Sequence, residues 1–382
     1  MKERIRNFFL NQTNLFIVYS AAAVLISLQQ YYLPAKGNYT HYENYLIFKN
    51  SFFHLLQNQN LYTNYPAETW DLYKYSPSFS FLFGPFTLLP DSFGLICWNL
   101  LNALVLFSGI ISLPLTNRNK NLLVGWAIII ELITSLQNSQ SNPLIAGLIL
   151  LCYSWLEKRS YWKASLAVML SFFIKIFGFA GGILFVFKSI NSKSIFWILL
   201  FTLIIAALPL FVINWQQLAW QYQNWFEMLK NDHSASLGLS VLGFIQNWFG
   251  IHAPKNLIVI SGTLLLSSPM IFFKHYQYTH FRLLMLASVL LWMVLFNHKA
   301  ESPTFIIAVC GAAVWYISSH ESKLHHFLFI LLLIFTCLSS TDIFPPQIRK
   351  TYFIPYGIKV LPCILIWLKI LYDQWTFKPK EV

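Results

Sequence analysis

Three ionisable residues stand close together between two long apolar runs in the segment LFNHKAESPTFIIA, residues 295–308. His298, Lys299 and Glu301 bring two potential cations and one carboxylate to the end of an apolar stretch. Charged side chains next to hydrocarbon are costly, and they usually pair with one another or serve a ligand. The residues alone leave two interpretations open: an internal Lys299–Glu301 pair, or a binding site for an anion.

Further polar residues also occur where apolar runs end. Lys175 in SFFIKIFGF has no acidic neighbour in the sequence, so it extends to the interface, forms a distant ion pair or faces a wet cavity. Gln140 and Asn142 lie in NSQSNP, between predicted helices at 121–136 and 143–157. Amides beside the first N–H groups of a helix can hold an anion or sugar hydroxyls, although a plain polar turn explains the same letters.

Two carboxylates in the first long loop complete the set. Glu43 precedes an amphipathic stretch, and Asp71 begins DLYKYSPSF, residues 71–79. Cations and carboxylates together at a membrane surface indicate a site for a phosphorylated lipid, where a carboxylate removes a proton from a hydroxyl group. A cationic pocket would stabilise the departing phosphate, and a general base typically adds about 10²- to 10⁴-fold in rate. Glu131, inside an apolar run, is either an interhelical hydrogen-bond partner or part of the cavity wall.

The composition requires these residues to be positioned by membrane helices. The chain has 382 residues, of which 57% are hydrophobic and only 10% charged, so it cannot cover the surface of a soluble globule. We predict an all-α fold, a polytopic transmembrane bundle of about twelve spans that forms a single domain over residues 1–382. The basic N-terminus has no convincing cleavage site, so the first helix is expected to be retained.

The charge and the cysteines exclude several other classes. The net charge of +12 lies mainly in short loops, where topology and anionic lipids explain it, so we expect membrane lipids and no nucleic acid as partners. The five cysteines all lie in apolar segments without paired spacing, which argues against both a disulfide framework and a zinc site. No carboxylate pair has convincing ligand spacing, so we expect no cofactor and no metal-binding residue, and leave dependence on a divalent metal open.

The loops sort into two alternating groups when the basic N-terminus is taken as cytoplasmic. The basic group, expected inside, comprises 116–121, 157–163, 188–194, 274–282, 318–326 and 374–380. The group with the unusual polar residues, expected outside, comprises 137–142, 175–178, 214–255, 297–302 and 341–355. Arg349 and Lys350 add cations to the last of these loops. This alternation predicts that Lys175, Gln140, Asn142 and His298 share one side of the membrane.

The alternation requires one net crossing between the first helix and residue 115. We therefore assign 35–77 to an outer loop with an interfacial helix, and 78–90, which Pro85 and Pro90 interrupt, to a re-entrant element. A full crossing at 78–90 is the alternative, and it would invert every later loop. The outer loop 214–255 contains Trp215, Trp220, Trp225 and Trp248, which are typical of a membrane anchor or of rings that stack on sugar.

An ordered series of motifs resembles one known family. The series is NLYTNYP, YKYSPSFSFLFGPFTLLPDSFGLICWNLLNAL, SQSN, IKIFGF, SASLGLSVLGF and NHKAES. From about residue 40 to 310 the chain is similar to glycosyltransferase family 87. The resemblance implies a GT-C fold and an inverting transferase that moves a sugar, typically mannose, from a polyprenyl-phosphate donor to a lipid or glycan acceptor. It also implies a multi-pass protein of the plasma membrane (the inner membrane of the cell), with its active site on the extracytoplasmic side.

The resemblance assigns roles to particular residues. The family's Gly-Gln-x-Asn turn corresponds to residues 139–142, with serine in place of the glycine, and its lysine and histidine correspond to Lys175 and His298. Lys175, His298, Lys299, Gln140 and Asn142 are thereby expected to bind the donor phosphate and sugar, with Glu301 as the orienting carboxylate.

The chain departs from the family at the expected base. The first-loop aspartate corresponds to Asn44, which does not accept a proton, so the candidates become Glu43, its neighbour and our first choice, and Asp71. A relative that binds lipid-linked sugar without transferring it is one alternative. A lipid or sugar transporter or flippase is another, although it would be expected to show internal repeats and polar groups at mid-membrane. An assembly scaffold is the third.

Overall fold

The computed structural model describes residues 2–35, 37, 39–188, 190–231, 237–319 and 322–379. Its secondary structure is helical, as predicted, and the described residues form no β-sheet. The α-helices are α1 (Lys2–Phe9), α2 (Gln12–Tyr32), α3 (Glu43–Leu56), α4 (Pro77–Thr87), α5 (Asp91–Ser112), α6 (Arg118–Ala127), α7 (Ile129–Gln137), α8 (Asn142–Glu157), α9 (Tyr161–Ile174), α10 (Ser192–Ala207), α11 (Trp215–Asn231), α12 (Val241–Phe249), α13 (Lys255–Ser267), α14 (Thr279–Leu295), α15 (Phe305–Ser318), α16 (Lys323–Leu331), α17 (Pro346–Ile348) and α18 (Val360–Trp375). Short 3₁₀ helices cover Ile176–Phe185, Leu208–Phe211, Ser268–Ile271, Phe273–His275 and Ser302–Thr304, and π-helices cover Leu332–Leu338 and Arg349–Phe353.

Several helices are long and apolar enough to cross a membrane. Among the described residues these are α2, α5 and the segment Ser192–Phe211, whose outer side chains such as Leu199 and Leu203 are exposed as in lipid-facing helices. The predicted helix 121–136 is instead divided into α6 and α7, which are bent by 47° where they meet at Ile128. Shorter apolar helices complete the bundle, so the total of about twelve spans stays a prediction.

Three helices form the centre of the bundle. Almost every residue of α8, α14 and α15 is buried, polar ones included. A helix that is apolar on all sides must be surrounded by other elements, and here α5 and α9 pack against α8 while α18 packs against α14. The turn at the start of α8 therefore lies at the end of a fixed central helix.

The first loop contains the helix that the sequence predicts, but this helix is not a loosely attached surface element. One side of α3 is buried, and Phe48 packs edge-on against Tyr75 and Trp98, at 4.8 and 5.7 Å between ring centroids. The following helix, α4, begins at the Ser76 cap, whose hydroxyl accepts a bond of 3.1 Å from the Phe79 N–H. Its 11 residues span only about 16 Å, which is too short for a helix to cross a hydrocarbon core, and the assignment of 78–90 to a re-entrant element stays a prediction.

The long segment 214–255 contains α11 and α12. Of its tryptophans, Trp225 is buried in the core, whereas Trp215, Trp220 and Trp248 are exposed. Three of the four therefore have the exposure that a membrane anchor or a stacking surface requires.

Two groups of loops meet at opposite ends of α8. At its C-terminal end, Glu157 accepts bonds of 2.6 and 2.7 Å from Arg282 and one of 3.1 Å from Lys188. These residues come from three of the basic loops that the sequence assigns to one side. At its N-terminal end, about 24 Å away for a helix of 16 residues, Asn142 joins the polar loops of the other group. Three of the basic loops thus meet at one end of α8 and the polar residues at the other, while the assignment of all the loops to two sides of the membrane stays a prediction.

Candidate functional site

The site is built on the turn between α7 and α8. Two side chains of helix α5 form hydrogen bonds with this turn. The Trp98 indole donates to the Ser139 carbonyl at 2.8 Å, and the Asn102 amide oxygen accepts from the Leu144 N–H at 3.1 Å. Ser139 is fully buried and has a φ of +50°. This left-handed conformation favours glycine, which is the residue found at the corresponding position of the Gly-Gln-x-Asn turn described above.

A chain of four polar side chains runs across the turn. The Gln140 amide donates to Glu301 at 2.8 Å, the Asn142 amide donates to the Gln140 oxygen at 2.6 Å, and the Lys175 ammonium donates to the Asn142 oxygen at 2.7 Å. The chain joins residues that lie up to 161 positions apart in the sequence. Four of the residues predicted to bind the donor are thus brought into one network.

Lys175 occupies the corner between α9 and the 3₁₀ helix that follows. Gly178 allows this sharp return, since a Cβ there would lie 2.5 Å from the Ser171 carbonyl oxygen. The ammonium lies 5.7 Å from the ring centroids of both Tyr75 and Phe177. Burial lowers the pKa of Lys175 to about 8, and the negative charge of Glu301 opposes this shift.

In the part of the chain that the structure describes, no carboxylate forms an ion pair with Lys175, and its hydrogen-bond partner is the neutral amide of Asn142. The donor corner, formed by Lys175 with Asn142, Tyr75 and Phe177, is therefore a desolvated site where uncharged groups surround a cation. Such a place favours the approach of an anion, which would restore the charge balance.

His298 and Lys299 lie on the loop that leads to Glu301. The Leu239 N–H donates to the Ala300 carbonyl at 2.7 Å, and Gly238 packs directly on this loop with a φ of +57°. His298 Nε2 lies 3.1 Å from the Lys255 ammonium, a contact that suits a neutral imidazole whose Nε2 accepts the bond. The half-buried Lys299 and His298 are thus three residues or fewer from the network at Glu301.

The two candidate bases have different surroundings. Glu43 is buried at the start of α3, where one carboxylate oxygen accepts bonds of 2.7 and 3.0 Å from Thr40 and the other has no hydrogen-bond partner in the described structure. Its neighbour Asn44 donates to the Asn138 carbonyl at 2.9 Å, so the start of α3 contacts the polar turn. Asp71 is partly exposed and is paired with Lys74 at 2.9 Å.

Asp71 also acts on a residue of the Lys175 corner. Burial raises the pKa of the Tyr75 hydroxyl above its ordinary value, and the charges of Glu301 and Asp71 add to this effect. Asp71, Tyr75, Glu301 and Lys175 therefore belong to one electrostatic neighbourhood, whereas the contacts of Glu43 are local to its own loop and helix.

The sequence reasoning missed a buried ion pair beside this network. The Lys359 ammonium donates to both oxygens of Glu131 at 2.8 and 3.0 Å and to the Ser302 hydroxyl at 2.9 Å. Glu131 was recognised as anomalous in its apolar run, and its role is that of an interhelical partner. Lys359 carried the same signal, a lysine immediately before an apolar run, but residues 228 positions apart cannot be paired from their spacing. Lys255 was missed as well.

A cavity of about 600 Å³ adjoins the network. It lies between the 237–247 segment, residues 300–302 and the 339–359 region, and Glu301 and Lys359 are among its lining residues. No three His, Cys, Asp or Glu side chains within the described ranges lie close enough to hold a metal ion, and metal dependence stays untested.

These features define a helical membrane protein whose polar residues converge at one end of a buried central helix. The profile of glycosyltransferase family 87 matches residues 73–341, more than half of the chain, and the protein therefore belongs to this family. Both candidate bases lie before the matched range. The resemblance to this family that the sequence motifs indicated is confirmed.

Comparison with solved structures finds ArnT from Cupriavidus metallidurans, in a crystal structure with bound undecaprenyl phosphate. The likeness covers 94% of this chain and 76% of that chain, at 11% sequence identity and a TM-score of 0.40. No curated protein matches the chain.

Proposed function

We propose that this glycosyltransferase takes a sugar, with mannose as the first choice, from a polyprenyl-phosphate donor and places it on a lipid or glycan acceptor at the extracytoplasmic face, with inversion. The observation that carries the proposal is the Lys175 corner. Its ammonium is desolvated, bonded to a neutral amide at 2.7 Å and flanked by aromatic rings. A lipid phosphate would supply the missing negative charge, and its departure as the leaving group would be stabilised by a cation already in place.

Lys299 and Lys255 add positive charge along the neighbouring loop, where His298 contacts the Lys255 ammonium. Glu301 accepts from the Gln140 amide and so orients the network.

A first-loop carboxylate is proposed as the general base. Two observations support Asp71: it is partly exposed, and its charge reaches Tyr75, whose ring faces Lys175. Glu43 is the alternative, because Asn44 beside it contacts the polar turn and because one of its oxygens has no partner among the described residues. A base must reach the acceptor hydroxyl, which favours the more accessible carboxylate.

Transfer is tested by incubating purified protein in lipid with polyprenyl-phosphate mannose and an acceptor extract, and measuring donor consumption. We expect Asp71→Asn to abolish transfer while donor binding is kept, and Glu43→Gln to do so instead if the base is Glu43. Full activity in both variants would reject a first-loop base.

The donor-phosphate role is tested separately with Lys175→Ala, which should lower kcat/KM for the donor by about 10²-fold. Lys158→Ala removes the same charge from an exposed position at the opposite end of α8 and serves as the matched control. Equal losses in the two variants would show that Lys175 has no special relation to the donor. Donor binding without consumption by the unaltered protein would identify a binding relative.

A further inference from the structure

The cavity of about 600 Å³ has the size of a site for a small molecule or a sugar unit, and the proposed donor contacts at Lys175 do not line it. Its polar lining includes the side chains of Gln246 and Asn247 on α12 and of Ser339 and Ser340 beside the first π-helix. The amides of Gln246 and Asn247 form no hydrogen bond with other described residues, and both residues are at least partly exposed. The hydrogen-bond donors and acceptors of these two side-chain amides can therefore bind a ligand in the cavity.

The charge of the lining indicates what kind of ligand fits. Lys359 is the cation among the described lining residues, and its charge is neutralised by Glu131, with a further bond to Ser302. Glu301 is the carboxylate among the described lining residues, and no lining cation pairs with it. A phosphate or carboxylate ligand would lie against this carboxylate, whereas hydroxyl groups can donate to it and accept from the amides.

The opposite wall is apolar. Phe353, Ile354 and Ile358 line it, and they come from the second π-helix and the turns that follow. A sugar ring has both hydroxyl groups and apolar C–H faces, so a wall of amides opposite a wall of apolar side chains matches a carbohydrate better than it matches a simple lipid tail.

Glu301 connects the cavity to the donor corner. One of its oxygens accepts from Gln140 and so joins the chain that ends at Lys175, while the residue itself also lines the cavity. A phosphate beside Lys175 and a hydroxyl compound in the cavity would therefore lie on two sides of one carboxylate. The cavity and the donor corner are thus joined through one side chain.

We infer that this cavity binds an uncharged carbohydrate unit, the acceptor of the transfer, through Gln246, Asn247 and Glu301. That the bound carbohydrate is the acceptor rests on the proposed function, but carbohydrate binding itself can be measured without transfer.

The test uses purified full-length protein in lipid nanodiscs and four soluble probes of equal chain length: hexyl mannoside, hexyl glucoside, hexyl phosphate and hexanol. Binding is measured by calorimetric titration for the unaltered protein, for the double variant Gln246→Leu with Asn247→Leu, and for Lys175→Ala. The melting temperature of each variant shows whether it is folded.

We expect the cavity variant to lose affinity for at least one hexyl glycoside by about tenfold or more, because two hydrogen-bonding groups are removed. Its affinity for hexyl phosphate should be unchanged, and Lys175→Ala should show the reverse pattern. Glu301→Gln should weaken glycoside binding and leave the melting temperature near that of the unaltered protein.

Three results would overturn the inference: unchanged glycoside affinity in the folded cavity variant, an equal loss for phosphate, or hexanol binding as well as the glycosides, which would identify a lipid-chain site. If instead Lys175→Ala leaves phosphate binding unchanged, the proposed donor site fails, and the glycoside results still decide the cavity. The two failures are thus distinguishable.

Discussion

The buried pair between Lys359 and Glu131 yields the sharpest prediction for stability. Both side chains are almost completely buried, with 5% and 0% of their side-chain surface exposed, and the ammonium makes bonds of 2.8 and 3.0 Å to the carboxylate. Glu131→Gln keeps the size of the side chain but leaves a buried ammonium without its counterion. Removal of one partner from such a pair costs about 3–5 kcal/mol, which corresponds to two to four powers of ten in the folding equilibrium.

The pair also holds the functional site. Lys359 bonds to Ser302, the residue after Glu301, while Glu131 is on α7, which leads into the turn at Gln140. We therefore expect Glu131→Gln to lower the melting temperature of the purified protein strongly and to lower kcat in the fraction that remains folded. Thermal unfolding in detergent, followed by circular dichroism, measures the first effect, and the transfer assay measures the second.

Two controls make the reasoning refutable. Asp342→Asn breaks the pair with Arg349, in which Asp342 is 96% exposed, and should cost no more than about 1 kcal/mol. Replacement of both buried partners by apolar residues, Glu131→Leu with Lys359→Met, should restore much of the stability, because no charge is then left unpaired. A Glu131→Gln variant as stable as Asp342→Asn, or a double variant less stable than the single one, would refute this account.

Three further outcomes follow from the site. Because the pKa of Lys175 is lowered to about 8, its ammonium loses the proton as the pH rises through that value, and kcat/KM for the donor should fall above it. The Lys175→Arg variant should keep kcat/KM constant to higher pH. Identical pH profiles for the two proteins would contradict this. Ser139→Gly should relieve the positive φ and raise stability by up to about 1 kcal/mol in thermal unfolding, whereas a loss of stability would show that the buried hydroxyl matters more. Gly238→Ala should lower kcat/KM about tenfold or more, because the added Cβ would lie 2.5 Å from the His298 carbonyl oxygen. The control Gly182→Ala, at a position with open space around it, should have little effect. Equal effects of the two substitutions would argue against a role for the contact between Gly238 and His298.

The grouping of the site residues was predictable because the sequence places them at corresponding ends of apolar runs. Alternation of basic and non-basic loops predicts that Gln140, Asn142, Lys175 and Glu301 share one side of the membrane, and in the structure these four side chains form one hydrogen-bonded network. Their roles remain proposals.

What the sequence did not show depends on packing between distant elements. The break at Ile128 has no proline to mark it, and Gly125 in the preceding turn does not specify a bend. The pairing of Glu131 with Lys359 depends on how α7 meets the start of α18. The direction of the Glu43 side chain, toward Thr40, is likewise set by the local turn before α3 rather than by its place in the loop.

The position of α8 has a consequence for how a lipid substrate is reached. The helix is enclosed on all sides and held at both ends, by Arg282 and Lys188 at Glu157 and by Lys175 at Asn142. Its length of about 24 Å is less than the 30 Å of a hydrocarbon core, so with the Glu157 end at one interface the other end stops below the opposite headgroup layer. A lipid phosphate bound at Lys175, as proposed, would then lie below the neighbouring headgroups and give up part of its hydration, and its attraction to the site has to exceed that cost before any bond is broken.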